Sequence, residues 1–387
     1  MNRRGNLVER KKKRNYAMLK TLFGLWILVI LMGCGKQTVS SSHAKTGSME
    51  LSHATQFQVD YYEGGYAHIH VEDGYDYVLV PKGKEAVDLG ISGAIILPKE
   101  PESVYLAASA SMDLIRQLNQ LSVITSCSTK EEDYCMEEVK ERIQQGLMTY
   151  VGKYSAPDYE MLLSKSTDLV IENSMIYHNP KVKEQLERLG MPVFVERSSY
   201  EEDPLGRLEW IRLYGLLLGC EEEADAFFSE QMQRMSELGN PTNLENAPTV
   251  VVFYVSANGT VNVRKPGDYL TKMIAMAGGS YGLAGLSLSE ENALSTINIT
   301  WEDFYREAVD CDYLIYNGTI DGGMTTMEEF LQLSPLLSDF RGVKEGHVYC
   351  TNLNIYQESS KIVAIIEDFS KLLQGRDDLT YLHQLEN

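Results

Sequence analysis

The chain has 387 residues, a formal net charge of −20 and 44% hydrophobic residues. That length exceeds one small core and suits two domains plus extensions, each able to bury a core of its own. The acidity argues against nucleic acid or broad binding to anionic lipid.

Residues 1–20 carry Arg3, Arg4, Arg10, Lys11, Lys12, Lys13, Arg14 and Lys20, and an uncharged apolar run follows over 21–33. A comfortable membrane span needs about 20 apolar residues, so this run is too short. It ends in Leu31-Met32-Gly33-Cys34 before Gly35. Small residues around a Cys directly after an apolar segment resemble the bacterial lipobox. The resemblance implies lipidation of Cys34, loss of signal residues 1–33 and anchorage to a lipid bilayer. Met18 offers an alternative start to Met1. Removing 1–33 takes away eight basic residues and one acidic one, Glu9, which moves the charge from −20 to −27. Of the cysteines, Cys34, Cys127, Cys135, Cys220, Cys311 and Cys350, lipidation leaves five, an odd number that is no disulfide framework. Buried, inert thiols are the expectation; a bridge between Cys127 and Cys135 stays open.

Residues 34–49 are small, polar and aperiodic, a flexible tether. Residues 50–99 alternate in QFQVDYYEGGYAHIHV and YDYVLVP, with turns at Glu63-Gly64-Gly65 and Asp73-Gly74, and read as a β-hairpin extension. From residue 100 the pattern changes. Short apolar runs, SVYLAA, VITSCS, DLVIEN and PVFVER, alternate with amphipathic segments, which predicts a parallel, doubly wound α/β lobe over 100–219. Residues 220–238, inside a connector at 220–240, read as one uninterrupted helix with acids in its first turn and Gly239-Asn240-Pro241 at its end. TVVVFYVS, DYLIYN and HVYCTN then repeat the α/β theme over 246–375. The fold class is α/β: two Rossmann-like lobes with parallel sheets joined by a single long interlobe helix, plus the N-terminal hairpin.

Two segments share a pattern, SAPDYEMLLSKSTDLVI (155–171) and NITWEDFYREAVDCDYLI (298–315). In each, a capping residue, Asp158 or Thr300, opens a helix. A Glu follows two positions on, Glu160 or Glu302, and the helix runs to an Asp before a strand, Asp168 or Asp312. With SVYLAASASMDLIRQL, the 220–238 helix and VRKPGDYLTKMIAMAGG, their order resembles the class III periplasmic binding proteins over residues 100–375. That family serves iron–siderophore, haem and cobalamin uptake. The resemblance implies a monomer that hands a small-molecule metal chelate to an ABC permease dimer with its ATPase. It also implies that Glu160 and Glu302 dock basic pockets on the permease. Charge pairs of this kind set register and on-rate more than raw affinity.

A ligand belongs in the cleft between lobes, on loops at strand ends. The N-lobe candidates are Ser109, Ser111, Tyr154, Asn173, Tyr177 and Arg197, with Met175 and His178 nearby. The C-lobe candidates are Tyr254, Arg264, Lys265, Asn317 and Tyr356, with Asn258 and Asp321 nearby. Arg264 supplies a bidentate fork for an anionic group; Lys265 alone reads as a turn residue. Arg207 falls on a helix opened by Pro204, where a salt bridge is its expected role. His68 and His70 alternate on one strand face without a carboxylate at ligand spacing, so they read as exposed polarity. With seven His in all, no bare-metal site and no cofactor is expected. His-Glu-x-x-His and P-loop motifs are missing, so an enzyme such as an anchored hydrolase ranks below a binding protein, as does an adhesive surface protein. The preferred cargo is an iron(III)–siderophore-type chelate, with haem or cobalamin as alternatives.

Overall fold

The computed structural model describes residues 43–239, 246–286 and 295–386. Cys34 and the signal segment lie outside the described residues. Among those described, no helix is long and apolar enough to cross a membrane.

The N-terminal region is a five-stranded sheet in the order β1 (Lys45–Ser48), β2 (Phe57–Tyr62), β3 (Ala67–Val71), β4 (Tyr75–Val80) and β5 (Ile95–Pro98). The hairpin read from the pattern is its middle, β2 to β4, where alternation is strongest. β1 (KTGS) is exposed throughout and carries no alternation, so sequence periodicity missed it. Phe57, Ile69, Tyr77, Leu79 and Leu97 point inward. This face packs on the N-lobe: the Phe57 ring meets Trp210 at 4.9 Å, and Tyr77 meets Phe194 at 5.0 Å and accepts a hydrogen bond from the Val195 amide. The extension is therefore half of a shared core, not an independent hairpin, which alone would be marginal in water.

The N-lobe sheet has the order β10-β9-β6-β7-β8 and is parallel throughout. Its strands are β6 (Val104–Leu106), β7 (Ile124–Cys127), β8 (Thr149–Tyr150), β9 (Leu169–Asn173) and β10 (Val193–Glu196). The C-lobe sheet is mixed. β11 (Thr249–Val255), β13 (Ser280–Tyr281), β15 (Tyr313–Tyr316) and β16 (Val348–Thr351) are parallel, while β12 (Val261–Arg264), β14 (Thr296–Ile299) and β17 (Leu382–Gln384) are antiparallel to their neighbours. Gly259 and the turn around it fold β12 back on β11, a hairpin that the apolar runs alone do not reveal.

The helix expected over 220–238 is present as Glu221–Leu238, and it is the second of a pair. The first, Pro204–Leu218, is buried on nearly every side, as an apolar-all-round helix must be. Asp203 caps it, Pro204 occupies its first turn, and Gly219 in the left-handed region (φ +74) ends it. This helix touches the N-lobe helix Met112–Gln117 and the C-lobe helices Tyr269–Met276 and Ile362–Leu373, so it is the spine between lobes. A Cβ on Gly215 would lie 2.5 Å from that of Ala224, which shows how closely the two helices cross.

Two buried carboxylates fasten the extension to this spine. Glu209 accepts from the amides of Ser52, His53 and Ala54, and Glu201 from those of Thr55 and Gln56 and from the Trp210 indole. Glu209→Ala strips three amides of their acceptor, while Arg212 keeps Asp225 and the Glu50 carbonyl, and an orphaned buried donor set costs about 3 kcal/mol. Chemical denaturation should register that loss, with early amide exchange confined to residues 45–98.

All five described cysteines are free thiols, and burial pushes Cys127, Cys135, Cys220 and Cys311 up to about 11, as expected of inert groups.

Candidate functional site

The pseudo-repeat is realised in both lobes. Asp158 accepts from the Met161 amide and Thr300 from the Asp303 amide, each capping a short helix, Tyr159–Ser164 or Trp301–Ala308. Glu160 and Glu302 sit exposed in the first turn of each, where the helix dipole favours a carboxylate. Asp168 then receives the amides of Glu102 and Ser103, and Asp312 receives the amide and hydroxyl of Thr249. Each Asp thus clamps the start of its lobe's first parallel strand.

The lobes meet through loops at the carboxyl ends of their parallel strands. Ser359 donates to the Ala110 carbonyl at 2.8 Å, and the Ser360 amide to the Asp113 carboxylate at 2.7 Å. Gln357 bridges the Cys135 amide and the Asp133 carbonyl, and Lys361 reaches Gln117. Asp113 is fully buried and held by Arg116. Across the mouth, Lys272 pairs with Glu202 at 3.2 Å.

At this junction two guanidinium groups flank one ring. Arg207, on the spine helix, lies 3.6 Å from the centre of the Tyr269 ring, and its nitrogens donate to the Glu201 and Ser199 carbonyls. Arg264, at the end of β12, lies 4.9 Å from the Tyr356 ring and 5.8 Å from Tyr269. Arg207 forms no ion pair among the described residues, which corrects the salt bridge expected of it. The helical offset explains this: Glu209 is two positions away, on a different face, and is spent on the extension and on Arg212. Burial pulls Arg207 below the usual guanidinium range, and the charge of Arg264 adds to that. The one carboxylate near Arg264 is Asp268, at 3.6 Å, and the same oxygen caps the Leu270 amide. Two positive charges thus meet Asp268, whose oxygen is shared with a helix cap, and for Arg207 also Glu196, whose carboxyl burial pushes up, in a chain with 55 acids and 35 Lys and Arg.

The other nominated residues divide. Arg264 and Tyr356 are brought together as expected; Arg207 and Tyr269 join them. Lys265 is buried beside Arg264, so it is not a solvated turn residue. Ser109 is exposed on its loop, and Tyr154 and Tyr254 are half-buried against the cores. Ser111 is buried and bonded to the Tyr214 hydroxyl at 2.5 Å, which removes it from ligand contact. Asn173 accepts from the Met175 amide, and Asn317 is buried and accepts from Thr319; both serve their own turns. Tyr177 donates to Asp73 and stacks on Tyr75, so the extension occupies it, and Arg197 donates to the neutral Gln56 side-chain oxygen. His68 and His70 do have a carboxylate partner: both bond one oxygen of Asp76, at 2.7 and 2.9 Å. Asp76 lies on β4, beside His70 in the antiparallel register, a neighbour that sequence spacing hides. Among the described residues, no group of three or more His, Cys, Asp or Glu is arranged to hold a metal ion.

Comparison with known proteins places this geometry. Residues 109–352 match the model of the periplasmic binding protein family. An uncharacterised lipoprotein of Methanocaldococcus jannaschii is 24% identical over 365 residues, covering 90% of each chain. The petrobactin-binding protein of Bacillus subtilis superposes with a TM-score of 0.57 at 14% identity, over 72% of this chain and 94% of that one. A periplasmic haem-binding protein of Pseudomonas aeruginosa gives 0.57 at 16% identity, over 74% and 99%.

Proposed function

The chain belongs to the periplasmic binding protein family, and on that premise we propose that it is the lipid-anchored substrate-binding component of an ABC importer, taking an anionic iron(III)–siderophore-type chelate from outside the cytoplasmic membrane. The carrying observation is the Arg207–Tyr269–Arg264–Tyr356 cluster where the lobes meet, two cations of which only Arg264 forms an ion pair among the described residues, with an Asp268 oxygen that also caps a helix. Guanidinium forks match carboxylate, catecholate and hydroxamate oxygens, and tyrosine faces hold the forks in place. The match of the family and the lipoprotein relative support the same reading, with Cys34 as the lipidated residue.

The chain acts by binding alone. The ligand bridges the two lobes, whose latch at Asp113, Ser360 and Gln357 keeps one side closed. Permease engagement through Glu160 and Glu302 then parts the other side and frees the chelate. The test is a thermal-shift screen of a soluble form against ferric siderophores, haem, cobalamin and bare iron, zinc and manganese salts. A ligand at a hundredfold excess over Kd stabilises its receptor by about 2.7 kcal/mol, a shift of several degrees. Absence of any shift from the chelates overturns the reading. A second measurement addresses the docking role: Glu160→Ala with Glu302→Ala should leave chelate affinity within twofold while cellular uptake is lost. Normal uptake by that double variant removes the docking assignment.

A further inference from the structure

The N-terminal sheet lies outside the family match, which begins at residue 109, yet it reaches the site through one residue. Arg197 follows β10 and directs both Nε and Nη2 at the Gln56 side-chain oxygen, at 3.3 and 3.2 Å. Its guanidinium lies 4.0 Å from the centre of the Tyr200 ring, which is 42% exposed. Among the described residues Arg197 forms no ion pair, and Asp73, the nearby acid that feels its charge, is engaged by the Tyr177 hydroxyl. Arg197 and Arg207 sit on either side of one turn, Ser198–Tyr200, because Arg207 donates to the Ser199 carbonyl. Gln56 is itself fixed: its amide donates to the Glu201 carboxylate, and the Glu201 carbonyl accepts from Arg207.

We propose that the N-terminal sheet is a working wall of the ligand site, with Gln56 as the positioning residue that presents Arg197 as a third cation to the anionic ligand. This rests on the reading of the cleft given above and adds to it a part that the family match does not contain. The chemistry lies in the choice of acceptor. A carboxylate at position 56 would hold the guanidinium equally well and cancel its charge. A neutral amide oxygen holds it in place and leaves the charge for an incoming anion. In a chain with 55 acidic residues, a Gln at this point is what an anion site requires.

Gln56→Glu tests this, because it keeps the shape and both bonds from Arg197 while neutralising its charge, and gives up only the exposed bond from the Gln56 side-chain nitrogen to the Thr55 hydroxyl. The probes are a trianionic ferric tris-catecholate and a neutral ferric tris-hydroxamate, titrated by tryptophan quenching at low and high salt. The expected result is an affinity about tenfold weaker for the catecholate, with a shallower salt dependence, an unchanged hydroxamate affinity and an unchanged melting temperature. Gln56→Ala should lose about threefold on the catecholate only, since the charge survives but is no longer held in place. A purely structural role for Gln56 would lower the melting temperature and weaken both ligands alike, and that outcome overturns the proposal. Catecholate binding by Gln56→Glu equal to wild type, in affinity and salt dependence, overturns it too while leaving the cleft reading intact. A wild-type chain that binds neither probe removes the cleft reading itself.

Discussion

Replacing Arg207 and Arg264 together by alanine should reduce affinity for an anionic chelate by at least about a hundredfold while both lobes stay folded. A hydrogen bond to a charged group contributes about 1.5–3 kcal/mol, so each arginine is worth roughly tenfold to a hundredfold in Kd. The two share the Tyr269 ring, at 3.6 and 5.8 Å, so their effects couple and the double variant need not equal the product of the single ones. Arg207→Lys is the informative intermediate. It keeps a charge and loses the planar fork that spans the Glu201 and Ser199 carbonyls, so it should recover part of the affinity. Folding stability moves less. Arg207 gives up two neutral-acceptor bonds, and its loss also relieves repulsion with Arg264, whose charge already depresses it. Titration calorimetry with the chelate found in the thermal screen reads the outcome directly. Binding by the double variant within threefold of wild type would show that the ligand sits elsewhere.

Much of this architecture was legible because it rests on local rules. Asp158 and Thr300 announced their helices through capping chemistry, and the apolar runs at 103–108 and 168–173 announced parallel strands. What stayed hidden depends on partners far apart in the chain. Glu201 and Glu209 look like ordinary acids in SSYEEDPLGRLEW, yet their partners are backbone amides of residues 52–56, which leave no side-chain pattern to read. For the same reason Tyr177 reads as available to a ligand: it follows a strand end, and only the docked sheet brings Asp73 against it. The salt bridge expected of Arg207 is not formed because Glu209, the acid on its own helix, lies two positions away on a different face and is spent on the extension and Arg212. Tyr269 carries a faint signal, an aromatic just past Pro266-Gly267 beside a basic pair, at the start of a helix that the fold places at the junction of the lobes.

Glu172→Gln should stabilise the protein by about 3 kcal/mol at pH 7, with the gain growing from nothing near pH 4.5 to its full size near pH 8. Alternation along β9 sends Leu169 and Ile171 to one core and Val170 and Glu172 to the other, beside Tyr105 and Val195. Both oxygens of Glu172 are buried without a hydrogen-bond partner among the described residues, and so is the Tyr105 hydroxyl. Burial pushes the Glu172 carboxyl up to about 8 from an ordinary 4.5. Between those two values the folded chain keeps a proton that the unfolded chain has released. Stability therefore falls as pH rises through that window, by at most about 1.4 kcal/mol per unit, and levels off above it. Glutamine has the same shape and cannot ionise, so the variant lacks this slope. Carboxylates with depressed values, such as Asp76 and Asp203, act in the opposite sense and at lower pH, and they cancel in the difference between variant and wild type. Denaturant melts of both chains at pH 5, 6, 7 and 8 give that difference. A constant difference across the series would mean that Glu172 finds a partner or water when ionised, and the buried, protonated carboxyl would have to be abandoned. A rising difference would establish that this receptor carries an acid whose protonation holds the N-lobe sheet together, one residue from the strand end that faces the cleft.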